Sequence, residues 1–295
     1  MVLAATGLPG CGSSGSPAPH TIIVSPLAPS AIPTGTAPSL LPSASPPEIS
    51  PEPGGFATPS AAPQRPPPKT GHALGSLYPA QLHGYDASYP QCSAGRPARQ
   101  ANFAVIGVNS GKAFSTNPCL GRLWREAPSS RALYVNSGFN PANYPKASAD
   151  CQELGRRVAG SKEEQSAYAI GCGEAVYAVA VSEAAGASNP QMWWVDVESS
   201  NSWSDQNLNL NRYSLQGEID QLVALGRPVG VYSSFGDWAT ITGGWMPEVV
   251  VADWVAGLTP TDACAGSGFS GAPVWLAQEA ATWPEAPSYD SDWTC

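Results

Sequence analysis

Short apolar runs separated by helical segments limit what this chain can fold into. After Leu82 the sequence carries FAVIGV (Phe103–Val108), RALYVN (Arg131–Asn136), MWWVDV (Met192–Val197), PVGVYS (Pro228–Ser233), EVVVAD (Glu248–Asp253) and APVWLA (Ala272–Ala277). Each has strand length and is rich in β-branched or aromatic residues. Between them lie segments with helical signatures. The stretch from Ser161 to Ala184 opens with Ser161 and Glu164 at capping-box spacing. RYSLQGEIDQLVALG puts Leu215, Ile219, Leu222 and Val223 on one face and stops at Gly226. Continuously apolar strands alternating with helices predict a buried parallel sheet. With seven or eight strands the simplest closure is an α/β fold, a single TIM-like (β/α) barrel. A doubly wound open sheet is the alternative, but no glycine-rich phosphate loop follows the first strand.

The barrel does not take in the whole chain. Seventeen of the 31 prolines precede residue 70, while all ten tryptophans follow residue 120. Residues 12–80 are rich in Pro, Ser, Ala, Thr and Gly, with almost no charge and no sustained period. Such a segment buries too little apolar area to offset its conformational entropy, so a disordered, semi-extended tether is expected. Residues 81–295 then form the barrel domain. Residues 1–11 end in LPGC, which resembles a bacterial lipobox, although no positively charged segment precedes it. Lipidation of Cys11 would attach the tether to a membrane.

Net charge is -9 and the pI is near 4.7. This argues against nucleic acid as a partner, because phosphates demand a basic face. No apolar run reaches the roughly 18 residues that span a bilayer. Six cysteines fall in the C-terminal part without any C-x-x-C pair, which fits disulfides in an oxidising compartment better than zinc. Pairing of neighbours is expected: Cys92–Cys119, Cys151–Cys172 and Cys264–Cys295. Sequence alone allows fifteen pairings.

The run QMWWVDVESSNSW ends in two carboxylates one residue apart, Asp196 and Glu198. On a strand, Trp194, Asp196 and Glu198 share one face and Trp193, Val195 and Val197 the other. In a barrel the first set climbs the interior toward the C-terminal rim. Two adjacent carboxylates repel, so one keeps its proton while the other is charged, as glycosidic cleavage requires. An isolated D-x-E is more often a solvated strand end or a helix cap, and three features shift that balance. Asp86, Asp253, Asp290 and Asp292 lie at other candidate strand ends. The three histidines, His20, His72 and His83, all precede Gly84, which argues against Ser-His-Asp, Cys-His and zinc-hydrolase chemistry. Trp194, Trp254, Trp275, Tyr134 and Tyr232 lie at or near strand ends, where flat rings suit sugar faces, although core packing explains about half of them. The acids lack the loop spacing of a calcium site, so no metal or cofactor is expected.

GYDASYPQ, FAVIGVNSGKAF, WWVDVE, PVGVYSS, VVVADWVAG, PVWLAQEA and YDSDW, in that order, resemble the strand motifs of glycoside hydrolase family 25, the Chalaropsis-type lysozymes. They are also similar to glycoside-hydrolase-like barrels of unknown function from actinobacterial exported proteins. The resemblance runs from Gly84 to Asp292. It implies a retaining, muramidase-type hydrolase of cell-wall polysaccharide. Glu198 would be the general acid and Asp196 would stabilise the charged intermediate, with Asp86 and Asp290 completing the ring. Asp253, Asn109, Tyr134, Trp194, Tyr232, Trp275 and Gln278 would line the groove. Asn109 stands where that family has an acidic residue, and YPQC replaces its aromatic-Gln-Gly. A barrel that binds glycan without cleaving it is the second reading, and a stalked structural domain the third.

Overall fold

The computed structural model describes residues 77–95, 100–282 and 288–295. The lipobox at Cys11 and nearly all of the Pro-rich segment lie outside them. Eight strands form a closed barrel in chain order. They are β1 (His83–Ala87), β2 (Phe103–Gly107), β3 (Ser130–Asn136), β4 (Trp193–Asp196), β5 (Val229–Ser234), β6 (Asp253–Ala256), β7 (Val274–Thr282) and β8 (Asp290–Thr294). Strands β1 to β7 run parallel. The last strand departs from the parallel pattern expected of the sequence, because β8 is antiparallel to both β7 and β1. The reason is the short connection after Thr282. A parallel crossover needs a dozen or more residues, whereas a short turn can only reverse the chain.

Side chains alternate between two cores, as the pleat requires. Trp193, Val195 and Val197 point outward, together with Leu133, Val135, Val229 and Val231, against the helices. Trp194 points inward with Tyr78, Phe103, Val105, Tyr134, Met192, Tyr232, Trp254 and Leu276. The barrel interior is thus filled with aromatic side chains. Tyr78, which precedes the first strand, is buried there and packs on Phe103 at 5.5 Å between ring centroids.

The helices are α1 (Leu120–Glu126), α2 (Ala149–Arg157), α3 (Lys162–Ala184), α4 (Leu208–Ala224), α5 (Phe235–Thr242) and α6 (Pro260–Ala265). Ser161 and Glu164 close the expected capping box at the start of α3. Helix α4 ends just before Gly226, which has φ 73°. Its inner face is Leu215, Ile219 and Leu222. Val223, expected on that face, is 41% exposed, since it lies one 100° step round from Leu222. Helices α3 and α4 touch backbone to backbone. A Cβ at Gly171 would stand 1.7 Å from the Ser214 carbonyl oxygen, and one at Gly217 would stand 2.1 Å from that of Tyr168. No helix among the described residues is long and apolar enough to cross a membrane.

Three disulfides join Cys92–Cys119, Cys151–Cys172 and Cys264–Cys295, each to its neighbour in sequence. The first ties the turn after β1 to the start of α1, the second α2 to α3, and the third α6 to the C-terminus.

Gly171→Ala must force α3 and α4 apart, so a loss of about 3 kcal/mol is expected, or roughly 6–12 °C in Tm by calorimetry. Gly236→Ala, in α5 with its Cβ meeting nothing closer than 3.8 Å, is expected to leave Tm unchanged or slightly raised.

Candidate active site

A cleft of about 470 Å³ opens at the C-terminal rim, and Asp86, Asp196, Glu198 and Asp290 all line it. Four different segments deliver them. Asp86 faces inward from β1, and Asp196 is the last residue of β4. Glu198 follows in the loop, where the Val197 N–H still donates to Tyr232 O at 2.9 Å. Asp290 opens β8 from the opposite chain direction. The reversed strand therefore brings its first residue, not its last, to the rim.

The carboxyls differ in surroundings. Asp196 is 3% exposed. Its Oδ2 accepts from Asn136 Nδ2, and its Oδ1 has no partner among the described residues. Burial holds its carboxyl well above the usual range, and the nearby charges of Glu198 and Asp86 add to this. Glu198 is partly exposed, and burial raises its carboxyl too. Ser200 Oγ donates to its Oε2 at 3.3 Å, and Tyr232 O–H approaches its Oε1 at 3.5 Å. Burial, then the charge of Asp290, pushes Asp86 up to about 7.

Asp86 belongs to a chain of hydrogen bonds along the cleft floor. Tyr232 O–H donates to Gln278 Oε1 at 2.7 Å, and Gln278 Nε2 donates to Asp86 Oδ2 at 2.8 Å. Asp292, beneath Asp86, is fully buried, and burial and then the charge of Asp86 hold its carboxyl well above its usual range. Trp254 Nε1 donates to Asp292 Oδ1 at 2.9 Å. Two charges are costly side by side in so dry a place, and this repulsion adds to burial in raising the carboxyls of the pair.

Tyr134, Tyr232 and Gln278 also line the cleft, as do Asn136 and Trp254. Four residues expected at the groove lie elsewhere. Asp253 is the first residue of β6 and points outward, where it accepts from Ser270 N at 2.8 Å and Ser270 Oγ at 2.5 Å. The inward position belongs to Trp254. Asn109 is buried behind β3, its Oδ1 accepting from Asn136 N at 3.1 Å and its Nδ2 donating to Asn136 O at 3.0 Å. It fixes the strand end that carries Asn136. Trp194 and Trp275 are interior packing, 0% and 4% exposed.

Other residues went unread in the sequence. Asn136 could have been found by stepping two residues from Tyr134. Glu174 on α3 and Glu218 on α4 are buried behind the rim, where Glu218 raises Asp196 and Glu174 accepts from Phe114 N and Asn109 Nδ2. Their only sequence signal is a glutamate after glycine on an apolar helix face. His83 lies on β1, with Nε2 2.8 Å from Ser291 Oγ, and stacks on Trp293 at 4.2 Å. It is not among the residues that line the cleft.

Asp86, Asp253 and Glu174 all hold protons more tightly folded than unfolded, at about 7, 7 and 8. Their stabilising contribution is complete below the unfolded carboxyl range and is lost as pH rises through those values. Scanning fluorimetry is expected to show Tm falling between roughly pH 4 and 8, and Glu174→Gln is expected to flatten part of that fall. A Tm that stays level or climbs over this interval would contradict the assignment.

Comparison with known proteins adds a sequence match and a set of similar structures. Residues 174–254 match the family described as Lysozyme-like protein 1. Among curated proteins no match is found. Similar solved structures include a muramidase from Trichobolus zukalii, 16% identical, TM-score 0.48, covering 72% of this chain and 93% of that one. A bacterial lysozyme from Streptomyces coelicolor is 18% identical, TM-score 0.48, with 73% and 92% covered. A family 25 glycosyl hydrolase from Bacillus anthracis is 13% identical, TM-score 0.43, with 73% and 89% covered. The lysozyme-like stretch includes WWVDVE, PVGVYSS and the start of β6, three of the motifs on which the resemblance to glycoside hydrolase family 25 rests.

Proposed function

We propose that this barrel is a glycoside hydrolase that cuts a cell-wall glycan of the peptidoglycan class, outside the cytoplasm. The observation that carries the reading is the convergence of Asp86, Asp196, Glu198 and Asp290 in one cleft at the barrel rim. Glu198 is the general acid. It is the more open of the D-x-E pair, and its raised carboxyl keeps a proton to give to the leaving sugar oxygen. Asp196 sits deeper. Its unpartnered Oδ1 is an acceptor for a substrate N–H beside the oxocarbenium-like centre. If the substrate's own N-acetyl group closes on that centre, Asp196 orients the amide. Asp86, held by Gln278, and Asp290 complete the carboxyl-lined wall.

Three disulfides favour an oxidising compartment. In this reading residues 12–80 are a tether, and lipidated Cys11 anchors the domain within reach of the wall.

A glycan-binding barrel without turnover is the second reading. Its support is the raised Asp196 carboxyl, because burial disfavours the charge that a stabiliser of the intermediate carries.

Digestion separates the two. The intact protein is incubated with purified peptidoglycan, and the products are identified by mass spectrometry. Fragments with new reducing ends are expected, about 10²–10⁴-fold fewer with Glu198→Gln. Because the acid must be protonated, the rate should fall as pH rises through the Glu198 titration. Tight binding with no fragments from either protein would establish the binding barrel.

A further inference from the structure

Beside the carboxylate cleft lies a second cavity of about 230 Å³ with the opposite charge. Lys112 and Lys146 stand on its wall, accompanied by Ser137, Asn140, Asn143 and Asn201. The chain has only four lysines, Lys69, Lys112, Lys146 and Lys162, and a net charge of -9. Two of the four meeting at one small cavity is therefore a local reversal of the overall charge. Both side chains are exposed. Among the described residues neither forms an ion pair, although carboxylates outnumber cations.

The position of Lys146 is fixed from inside the protein. Its Nζ stands 5.4 Å from the centre of the Phe114 ring. Phe114 has φ 54°, a left-handed conformation that a bulky residue adopts only when held there. Its N–H donates to the buried carboxylate oxygen Oε2 of Glu174. The loop carrying Lys112 and Phe114 is thus pinned by a group in the helix layer.

The cavity adjoins the cleft. At three places one residue lines the cleft and its chain neighbour lines the cationic cavity: Gly111 and Lys112, Asn136 and Ser137, Asn201 and Ser202. Asn201 lines both, and its Nδ2 has no acceptor among the described residues. A ligand lying across the carboxylates would meet amide donors at the junction and two ammonium groups beyond it. A neutral sugar has no use for that charge. An anionic polymer does, because any cleft carboxyl that ionises repels it.

We propose that this cavity is an anion subsite of the cleft, and that the glycan held there carries a carboxylate or phosphate substituent beside the sugar that faces Asp196 and Glu198. The inference rests on the glycan reading given above and narrows it to acidic glycans.

The test is binding to the intact chain carrying Glu198→Gln, which suppresses turnover. Four probes are titrated by calorimetry: a neutral N-acetylglucosamine oligomer, a peptidoglycan oligosaccharide with its carboxylates, a glycan oligomer bearing phosphate, and inorganic phosphate alone. An acidic oligomer is expected to bind about tenfold more tightly than the neutral one at low salt, with the gap shrinking as salt screens it. The stronger of the two acidic probes identifies the substituent. In Lys112→Gln/Lys146→Gln that advantage disappears, while the neutral oligomer binds as before and Tm is unchanged. Equal affinity for neutral and acidic oligomers, or an advantage that survives the double substitution, overturns the subsite and leaves the glycan reading intact. Phosphate binding that needs both lysines, without binding of any oligomer, keeps an anion site and overturns the glycan reading. No binding of any probe overturns both.

Discussion

The Trp254 ring is the floor on which the cleft stands. It meets Tyr232 at 4.4 Å, Trp194 at 5.8 Å and Tyr134 at 6.1 Å between ring centroids, and its Nε1 holds Asp292. Four aromatic side chains from four strands thus close the barrel below the rim and keep water away from the undersides of Asp86, Asp196 and Asp292. Desolvation is the leading cause of the raised carboxyls, and it exists because the floor is dry. The chemistry proposed for Glu198 depends on that packing. A wet floor would let all the acids ionise, and none would keep a proton for a leaving group.

Charge and hydrogen bonding then distinguish groups that burial alone treats alike. Gln278 and Asp292 act on Asp86, Asn136 acts on Asp196, and Ser200 and Tyr232 act on Glu198. Behind them a second layer fixes the strand ends. Asn109 clamps Asn136, and Glu174 and Glu218 occupy the close crossing of α3 and α4 that Gly171 and Gly217 permit. Close helix contact, buried glutamates and the rim are therefore one mechanical unit.

The barrel and its principal acids were legible because a strand's period of two is hard to disguise. Trp194, Asp196 and Glu198 share a face by counting alone, and the structure points Trp194 and Asp196 inward. The same rule went wrong at β6 by a single residue. Aspartate drew attention at Asp253, although the inward position belongs to Trp254. Short strands of four residues leave little pattern from which to choose the face. Asn109, Trp194 and Trp275 were misplaced for a different reason: proximity to a strand end does not say whether a side chain reaches the cleft or supports it. The reversal of β8 follows from a connection too short to cross over, a matter of loop length rather than of strand composition. Glu174 and Glu218 gave almost no signal, since a buried glutamate on an apolar helix looks like a solvated one until its neighbours are known.

The central claim is that Glu198 carries its proton at pH values where an ordinary glutamate has lost it. Carbon-13 carboxyl NMR over a pH series, with Glu198→Gln to assign the resonance, measures this directly. The account predicts a Glu198 titration above the ordinary glutamate value of about 4.3. A Glu198 carboxyl that titrates at or below that value would contradict it, because the cleft would then lack its acid.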